Sequence, residues 1–319
     1  MSTYLITGGA GFIGSNIAQS LLERGEEVRI LDNFSTGKRE NIAHLNGAEL
    51  LEGDIRDLEV IREAMKGTDF CLHQAALPSV ARSVKDPAQT NEVNVGGTLN
   101  VLVAAVEASV KRLVYASSSS VYGDTPTLPK SEDLPPGPLS PYAVSKFAGE
   151  LYVSSFRHVH GLETVILRYF NVFGPRQDPT SKYAAVIPAF ISAISEKQRP
   201  RIFGDGEQSR DFTYVGNVVA ANIAACHAPV SAVGAAYNVG CGSRTTVNEL
   251  ARQIAGILKC DLEPMHVAPR PGDVRHSCAD ISAARRELGY EPQIDLTEGL
   301  AKTVEWFTSE RLSRYCAPS

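Results

Sequence analysis

The chain has 319 residues, of which 43% are hydrophobic and 21% charged, which is typical of a globular protein with one large or two modest domains. A net charge of −5 without a polybasic run argues against nucleic-acid binding and against attachment to a membrane surface. The sequence has no apolar run of transmembrane length and no signal-peptide pattern, so we expect a cytoplasmic protein. Its six cysteines are scattered along the chain, so we expect reduced thiols and no metal site.

The first predicted strand, over residues 4–7, leads into a glycine-rich turn and a helix. Gly8, Gly11 and Gly14 suit a tight turn, a close approach of the backbone to phosphates and close packing of the helix on the sheet. Such turns also serve as plain connections, but here the spacing predicts a dinucleotide pyrophosphate bound at the helix N-terminus. The predicted contacts are Gly8, Gly11, Phe12 and Ile13.

The next two strands are predicted to supply the contacts to adenosine. Strand 28–31 ends in Asp32, at the place where this type of fold holds the adenosine ribose. That carboxylate should accept NAD and repel the 2′-phosphate of NADP. The polar stretch 33–38, which begins with Asn33, would wrap the adenosine, and strand 48–53 leads to Asp54 and Ile55, suited to the edge and face of adenine. Ordinary loop packing explains the last pair equally well.

Strands and helices continue to alternate along the chain. After a helix over 58–65, strand 69–76 ends in Gln74, Ala75 and Ala76, small enough at its tip for a cofactor to pass over. Asn94, at the start of the following helical stretch, is either a cofactor contact or a helix cap. The alternation predicts an α/β fold with a doubly wound parallel (Rossmann) sheet and ligands at the carboxyl ends of its strands.

A cluster of hydroxyl groups follows the strand over 112–116, where residues 117–120 are four serines. Pro141 opens a helix in which Tyr142 and Lys146, four residues apart, share one face. A nearby ammonium and a positively charged nicotinamide ring favour the phenolate, and each unit of pKa depression corresponds to ~1.4 kcal/mol. We therefore predict Ser118, Tyr142 and Lys146 as the catalytic group, with Ser118 holding the substrate oxygen whose proton Tyr142 takes.

The pattern changes after the strand over 163–169, where longer polar loops predict a smaller second lobe. Arginines beside turn residues in 204–212 and 270–276 are suited to binding a phosphate. A helix over 215–228 and a strand over 235–240 are predicted to return to the large sheet, and a last helix over 296–307 precedes a polar tail. We predict an NAD-binding domain over 1–170 with the return of 212–240, and a smaller C-terminal substrate-binding lobe over 171–211 and 241–319.

Five motifs together resemble the extended short-chain dehydrogenase/reductase family, and within it the nucleotide-sugar epimerases: TGGAGFIG (7–14), SSSSVYG (117–123), YAVSK (142–146), RYFN (168–171) and RPGD (270–273). Segments 183–188, 209–212 and 273–280 are most similar to UDP-N-acetylglucosamine 4-epimerases. The resemblance implies tightly held NAD and a redox cycle without net oxidation. Tyr142 would take the O4 proton, and hydride would leave C4 and return to the other face of a 4-keto sugar. Lys146 would hold the nicotinamide ribose and lower the pKa of Tyr142.

The resemblance also implies further site residues and a homodimer formed through two helices per subunit, starting near Gly96 and Tyr142. It places Ser117, Tyr142, Lys146 and Tyr169 among the cofactor contacts. The implied UDP-sugar contacts are Ser79, Val80, Ser118, Ser119, Ser120, Tyr142, Asn171, Ala185, Val186, Gln208, Arg210, Arg270, Asp273 and Ser277. Ser277 matches the position that limits the sugar pocket, where a serine leaves room for a 2-acetamido group and a bulky aromatic would not.

Three other functions remain open. A 4,6-dehydratase shares the tyrosine and lysine but typically has an Asp-Glu pair where this chain has Ser119 and Ser120. A UDP-uronic acid 4-epimerase shares the serine-rich strand end and is the closer alternative. A non-catalytic cofactor sensor would tend to lose Tyr142 or Lys146, and both are present here.

Overall fold

The first half of the chain alternates strands with helices. The computed structural model describes the backbone of residues 1–179, 185–269 and 274–316, with side chains up to residue 309. The elements of this half are β1 (Thr3–Thr7), α1 (Phe12–Glu23), β2 (Glu27–Asp32), β3 (Glu49–Glu52), α2 (Leu58–Met65), β4 (Phe70–His73), α3 (Val80–Lys85), α4 (Pro87–Asn91), α5 (Gly97–Glu107), β5 (Arg112–Ser118), α6 (Pro141–His160) and β6 (Thr164–Tyr169).

The second half contains shorter strands and more loops. Its elements are β7 (Val172–Phe173), α7 (Val186–Ser195), β8 (Arg201–Phe203), β9 (Ser209–Arg210), β10 (Thr213–Tyr214), α8 (Val215–His227), β11 (Ala236–Val239), β12 (Thr245–Thr246), α9 (Val247–Ile257), β13 (Met265–Val267), α10 (Ser282–Leu288) and α11 (Leu296–Cys316). The last helix extends nine residues beyond the predicted end at Phe307, so the polar tail from 308 to 316 is helical.

Seven strands form one parallel sheet in the order β11-β6-β5-β4-β1-β2-β3. Successive side chains of a strand point to opposite faces, and both faces are apolar. Tyr4 and Ile6 of β1 belong to the core against α1 and α8, whereas Leu5 belongs to the core against α2 and α5. This confirms the predicted doubly wound α/β fold.

A third hydrophobic core lies outside the large sheet. It is built from α7, α9 and α11 together with the short strands β7, β8 and β10, and Phe190, Ile202 and Leu250 are among its buried members. β11 pairs with β6 and α8 packs against α1, so residues 212–240 contain elements of the large sheet's layers. The division of the chain into two domains at these boundaries stays a prediction.

The parallel arrangement brings the carboxyl ends of β1, β2, β4, β5 and β6 to one edge of the sheet. The predicted cofactor and catalytic residues follow these strand ends, so the fold alone places them on the same side of the molecule. In the three described ranges, no helix is both long and apolar enough to cross a membrane.

Candidate active site

The glycine-rich turn after β1 leaves no room for side chains. A Cβ on Gly14 would lie 2.3 Å from the carbonyl oxygen of Gly8, and one on Gly8 would lie 2.7 Å from the backbone nitrogen of Ala75. Gly8 also has a φ of +70°, in the left-handed region that favours glycine. No side chain caps α1 at Gly11, so the first N–H groups of the helix, at Phe12 and Ile13, face a cradle made of bare backbone. This geometry fits the pyrophosphate of a dinucleotide.

Asp32 lies at the end of β2, as the sequence predicts. Its carboxylate accepts hydrogen bonds from the backbone nitrogens of Ala10 at 2.9 Å and Phe34 at 2.8 Å. A Cβ on Gly37 would come within 2.8 Å of both carboxylate oxygens, so the loop after β2 closes tightly over this side chain. Burial raises the pKa of Asp32, and the two backbone hydrogen bonds oppose that rise. The carboxylate is thus held in one orientation.

Asp54 is bound to protein partners on both of its oxygens. Arg56 donates to them at 3.0 and 2.8 Å, and Asn33 donates at 2.7 Å. The Arg56 guanidinium lowers the pKa of Asp54 to about 2, so it is ionised at neutral pH. Ile55 is buried, and a Cβ on Gly97 would overlap its side chain. The structure therefore joins Asn33 to Asp54 and places the Ile55 side chain in the hydrophobic core.

The end of β4 is connected to β6 and α8 through amide groups. Gln74 accepts a hydrogen bond from the Tyr169 hydroxyl at 3.1 Å and donates one to Asn222 at 3.0 Å. Ala75 follows, with its backbone nitrogen 3.3 Å from the Thr7 hydroxyl, and Ala76 is half-buried beside it. The predicted residues of this strand end therefore lie next to the glycine turn. Asn222 was missed from sequence, although an asparagine in the apolar helix α8 is a usable signal.

Asn94 does not begin a helix, which corrects the prediction that it could cap one. It lies in a π-helical turn, Glu92–Gly96, between α4 and α5. Its buried amide bonds the backbone of Leu77 at 2.7 and 3.3 Å and the hydroxyl of Ser145 at 3.0 Å. The side chain thus ties the loop after β4 to helix α6, and π-helical turns of this kind are frequent at functional sites.

Helix α6 presents its predicted catalytic residues to the end of β5. The Ser118 side chain lies close enough to the Tyr142 phenol to lower its pKa, and the Lys146 ammonium donates to the carbonyl oxygen of Ala116 at 2.8 Å. Gly149 allows this close approach, because a Cβ there would lie 2.1 Å from the Tyr115 hydroxyl oxygen. The structure therefore brings all three predicted catalytic residues to the end of β5.

A third contact between α6 and β5 was not predicted. Glu150, one turn beyond Lys146, accepts a hydrogen bond from the Ser117 hydroxyl and a bidentate pair from Arg168 at 2.9 and 2.7 Å. Both side chains of this ion pair are buried. Arg168 also donates to Tyr122 at 2.9 Å. Because the Ser117 hydroxyl donates its proton to Glu150, its side chain could contact a cofactor only as an acceptor.

The electrostatics of the catalytic pair differ from the expectation. Burial raises the pKa of Tyr142, and only the Ser118 hydrogen bond lowers it. Lys146 is not among the groups that shift the pKa of Tyr142, on which burial has the largest effect. Burial also lowers the pKa of Lys146 to about 8, while the Glu150 carboxylate raises it. Tyr142 is therefore protonated at neutral pH in the protein alone, ready to be activated when a positive charge arrives beside it.

The remaining residues near the predicted sugar position are small or lie on short helices. Ser119 and Ser120 form the first turn of the 3-10 helix Ser119–Tyr122. Ser79 caps α3 by accepting from the Arg82 backbone nitrogen at 3.1 Å, and Val80 begins that helix with an exposed side chain.

A cavity of about 250 Å³ opens between β7, α7 and β9. Its lining includes five of the predicted substrate residues: Asn171, Ala185, Val186, Gln208 and Arg210. The polar side chains are fixed: Asn171 donates to the Asp211 carbonyl at 3.1 Å and Gln208 to the Phe203 carbonyl at 2.8 Å. Arg210 donates to the carbonyls of Ser209 and Arg275, each at 3.0 Å. This mix of apolar walls and fixed polar groups suits a nucleotide base and its phosphates.

Ser277 is only 6% exposed, and its backbone nitrogen donates to the Ser209 carbonyl at 3.0 Å. That bond places it directly beside the strand that carries Arg210. Two other predicted substrate contacts, Arg270 and Asp273, lie outside the described residues.

Asp211 is a buried carboxylate that sequence reasoning overlooked. It accepts three backbone hydrogen bonds, from Cys241 at 2.8 Å and from Gly242 and Ala279 at 3.0 Å each. Burial raises its pKa to about 6. Through these bonds and its own carbonyl, Asp211 joins β9, the loop after β11 and the segment of Ser277 around the cavity.

Comparisons with known proteins agree with this geometry. The model of the NAD dependent epimerase/dehydratase family matches residues 4–240. The UDP-glucose 4-epimerase of Mycolicibacterium smegmatis is 41% identical over 96% of this chain and 98% of its own length. The solved structure of UDP-N-acetylglucosamine 4-epimerase from Methanobrevibacter ruminantium M1, in complex with UDP-N-acetylmuramic acid, has a TM-score of 0.93, 41% identity and coverage of 97% and 99% of the two chains.

Other similar proteins extend the range of substrates. The UDP-glucose 4-epimerase of Thermus thermophilus, solved in complex with NAD, has a TM-score of 0.88, 38% identity and coverage of 96% and 99%. UDP-glucuronate 4-epimerase 4 of Arabidopsis thaliana is 34% identical over 96% of this chain and 75% of its own. A dTDP-glucose 4,6-dehydratase of Streptomyces niveus is 33% identical over 96% and 93%.

These matches confirm the family predicted from the motifs, NAD as the cofactor and an NAD-dependent enzyme of the epimerase type. The backbone cradle and the fixed Asp32 carboxylate are where this chain would hold NAD. A family model that covers most of the chain and a relative above 40% identity along nearly the whole length lead to one conclusion: the chain belongs to the NAD dependent epimerase/dehydratase family.

Proposed function

We propose that this protein is an NAD-dependent 4-epimerase of UDP-sugars that interconverts UDP-N-acetylglucosamine and UDP-N-acetylgalactosamine, and also UDP-glucose and UDP-galactose. One observation carries the proposal: Ser118, Tyr142 and Lys146 lie at the end of β5, in a fold that also offers a dinucleotide cradle after β1 and a cavity of about 250 Å³. Epimerisation at C4 requires a hydride acceptor, a base and a site that binds the nucleotide part of the substrate.

The residues divide the proton chemistry between them. Ser118 lies beside the Tyr142 phenol, so a sugar O4 that binds between these two groups is aligned for proton removal by Tyr142. When bound, NAD supplies a hydride acceptor and a positive charge that favours the phenolate. Lys146, whose ammonium is bound to the Ala116 carbonyl, places a second positive charge on the face of α6 that carries Tyr142. Tyr142 returns the proton to O4 once the 4-keto sugar has presented its other face.

The acetamido preference is supported by the size of the residue at position 277. Ser277 is a small side chain, and its backbone is bonded to Ser209 beside the strand of Arg210. A bulky aromatic ring at 277 would fill volume close to that strand, and a serine leaves it free for a 2-acetamido group. The proposal that Ser277 borders the sugar rests on the motif resemblance and on this neighbourhood.

The two rival reactions predict different residues. A 4,6-dehydratase needs an acid and a base to eliminate the C6 hydroxyl, and Ser119 and Ser120 offer neither at neutral pH. A UDP-uronic acid 4-epimerase is the second candidate, favoured by the serine-rich strand end and by the plant relative described above.

We also propose that the protein acts as a homodimer in the cytoplasm. Helix α6 exposes a row of apolar side chains, with Val144, Leu151 and Val159 each more than half exposed. Rows of this kind on a helix surface mark interaction sites, and a second copy of α6 would cover it. The described cysteines are unpaired, including the buried Cys71 and Cys226, which suits a reducing compartment. Light scattering of the wild type and of Leu151→Glu tests the dimer; a wild-type monomer would contradict it.

The decisive experiment incubates the purified protein with five UDP-sugars: glucose, galactose, their 2-acetamido forms and glucuronic acid. We expect the C4 epimer without net NADH formation, and with the 2-acetamido pair as the better substrates. A 4-keto-6-deoxy product would instead identify a dehydratase, and turnover of glucuronate alone a uronate epimerase.

A matched pair of variants tests the catalytic tyrosine. Tyr142→Phe should lower kcat by about 10²- to 10⁴-fold, the contribution typical of a general base. Tyr152→Phe removes the hydroxyl of a tyrosine that is exposed on the same helix and should leave kcat unchanged. Full activity in Tyr142→Phe would refute the mechanism.

A further inference from the structure

The loop that follows β7 contacts two separate parts of the cofactor-binding region. Its central residue, Arg176, donates to acceptors on α1 and on the loop that follows β2. The acceptors are Asn16 Oδ1 at 2.8 Å, Gln19 Oε1 at 2.7 Å, the carbonyl oxygens of Ser15 at 3.5 Å and Asn41 at 3.4 Å, and His44 Nε2 at 3.1 Å. One guanidinium therefore joins the second half of the chain to helix α1 and to residues 41–44.

A second contact joins the same two loops. The Asp178 carboxylate lies 3.0 Å from the Lys38 ammonium. The backbone nitrogen of Lys38 and the side-chain amide of Asn41 in turn both donate to the carbonyl of Ala10, at 3.0 and 2.9 Å. We call residues 33–44 the cofactor loop, because it directly follows Asp32 and covers that carboxylate at Gly37. Arg176 and Asp178 thus both contact the cofactor loop.

This arrangement is energetically unusual for a plain structural contact. Arg176 has a φ of +70°, which is strained for a residue with a Cβ. None of these five acceptors is a carboxylate, and burial lowers the pKa of Arg176 to about 10. A strained backbone and a partly buried cation bound to neutral groups both persist only where the surroundings impose them, which is frequent at functional sites.

We propose that Arg176 and Asp178 are positioning residues for the cofactor loop and that they set the rate at which NAD leaves the enzyme. The inference rests on the NAD dependence of the family and on the loop that follows Asp32, not on which sugar is the substrate. An epimerase needs the same nicotinamide to accept and return one hydride, so loss of the cofactor between the two transfers would end the cycle. A loop fixed from the second half of the chain slows that loss.

The test follows the release of NAD directly. Protein loaded with labelled NAD is mixed with a large excess of unlabelled NAD, and the bound label is measured over time. The loss of several hydrogen bonds from a charged donor weakens the contact by enough free energy to change a rate or an equilibrium about 10-fold or more. We therefore expect NAD release from Arg176→Met to be at least about 10-fold faster than from the wild type. Asp178→Asn, which loses one exposed ion pair, should show a smaller acceleration.

Turnover provides a second readout that a purely structural role would not move. Diluted Arg176→Met should lose activity when no NAD is added, and saturating NAD should restore the wild-type kcat with an unchanged KM for the UDP-sugar. Unchanged NAD release in a folded Arg176→Met would overturn the proposal. If Arg176→Met did not fold, an unchanged rate of NAD release in Lys38→Met and Asp178→Asn would also overturn the proposal.

Arg112 offers a matched control. Like Arg176, it donates to backbone carbonyls, those of Ala225 at 3.0 Å and Ala228 at 2.6 Å. It is more deeply buried, pairs with Glu163 at 2.7 Å, and lies at the opposite end of the sheet, where β5 begins. Arg112→Met should lower the melting temperature without accelerating NAD release. Equal acceleration in both variants would show that release reports global stability and would overturn the proposal. Faster release from Arg176→Met in a protein that lacks 4-epimerase activity would leave this inference standing and refute the proposed substrate.

Discussion

Replacing Glu150 by glutamine removes the one carboxylate found to raise the pKa of Lys146, and it keeps the shape of the side chain. Glu150 lies four residues after Lys146 on α6, so their Cβ atoms are about 6 Å apart, which we take as the separation of the two charges. At an effective dielectric constant of about 20, two unit charges at that distance interact by ~3 kcal/mol, which corresponds to about two pKa units. We therefore expect Glu150→Gln to lower the pKa of Lys146 from about 8 by about one to two units.

The assay is the dependence of kcat on pH. If the Lys146 ammonium supports the Tyr142 phenolate, activity falls as the pH rises through the pKa of Lys146. The alkaline limb in Glu150→Gln should therefore move to lower pH. Other groups that face Lys146 do not mimic this shift: the Tyr115 ring lies 5.1 Å from its nitrogen and stays protonated, and His73 stays neutral because its pKa is about 3.

Two further variants separate charge from structure. Ser117→Ala breaks a hydrogen bond to Glu150 and keeps the charge, so its alkaline limb should not move. Because Glu150→Gln leaves Arg168 buried without its ion-pair partner, at a cost of about 3–5 kcal/mol, Glu150→Gln/Arg168→Met serves if the single variant is unstable. An unmoved alkaline limb in a folded variant without the Glu150 charge would refute the electrostatic role of Glu150.

Three further predictions concern the cradle, the stability and the sugar pocket. Gly14→Ala places a methyl group 2.3 Å from the Gly8 carbonyl and should abolish NAD retention, read from the absorbance ratio at 260 and 280 nm, whereas Gly256→Ala meets nothing within 4 Å and should retain NAD. His73 is buried with a pKa of about 3, so below its unfolded value of about 6.5 only the unfolded chain takes up the proton. The free energy of unfolding should fall by up to ~1.4 kcal/mol per pH unit between about pH 6 and 4, and His73→Asn should reduce this slope in urea titrations by one proton. Ser277→Tyr should lose activity on the 2-acetamido sugars first; equal loss on both sugar classes would contradict the size hypothesis.

The strands and their ends were predictable because each depends on local sequence. Buried parallel strands are short apolar runs, so β2 and its terminal Asp32 follow directly from residues 28–32. The spacing of Tyr142 and Lys146 fixes their common face because α-helix geometry does not depend on the rest of the fold.

The partners that complete the site were not predictable, because they come from distant parts of the chain. The carboxylate of Glu150 meets Ser117 and Arg168 only after α6 has crossed the sheet and β6 has paired with β5. Burial is also a property of the whole fold. The spacing of Lys146 and Tyr142 on α6 predicts that Lys146 lowers the pKa of Tyr142, but it does not show the desolvation that raises this pKa.

The contrast between fixed polar side chains at the cavity and short side chains at the proposed sugar position predicts which part of a UDP-sugar contributes most of its binding energy. Around the cavity of about 250 Å³, Asn171, Gln208 and Arg210 are each fixed by backbone carbonyls, whereas Ser118 and Ser277, which we propose border the sugar, have short side chains. A sugar that must turn over between two hydride transfers cannot be held by many directional contacts. We therefore expect UDP alone to bind within about 10-fold of the UDP-sugar, a difference of ~1.4 kcal/mol, when both are titrated by calorimetry into the Tyr142→Phe variant. Arg210→Met should weaken both ligands alike. A UDP-sugar that bound more than about 100-fold tighter than UDP would show that the sugar is firmly gripped, and would contradict a mechanism in which it rotates.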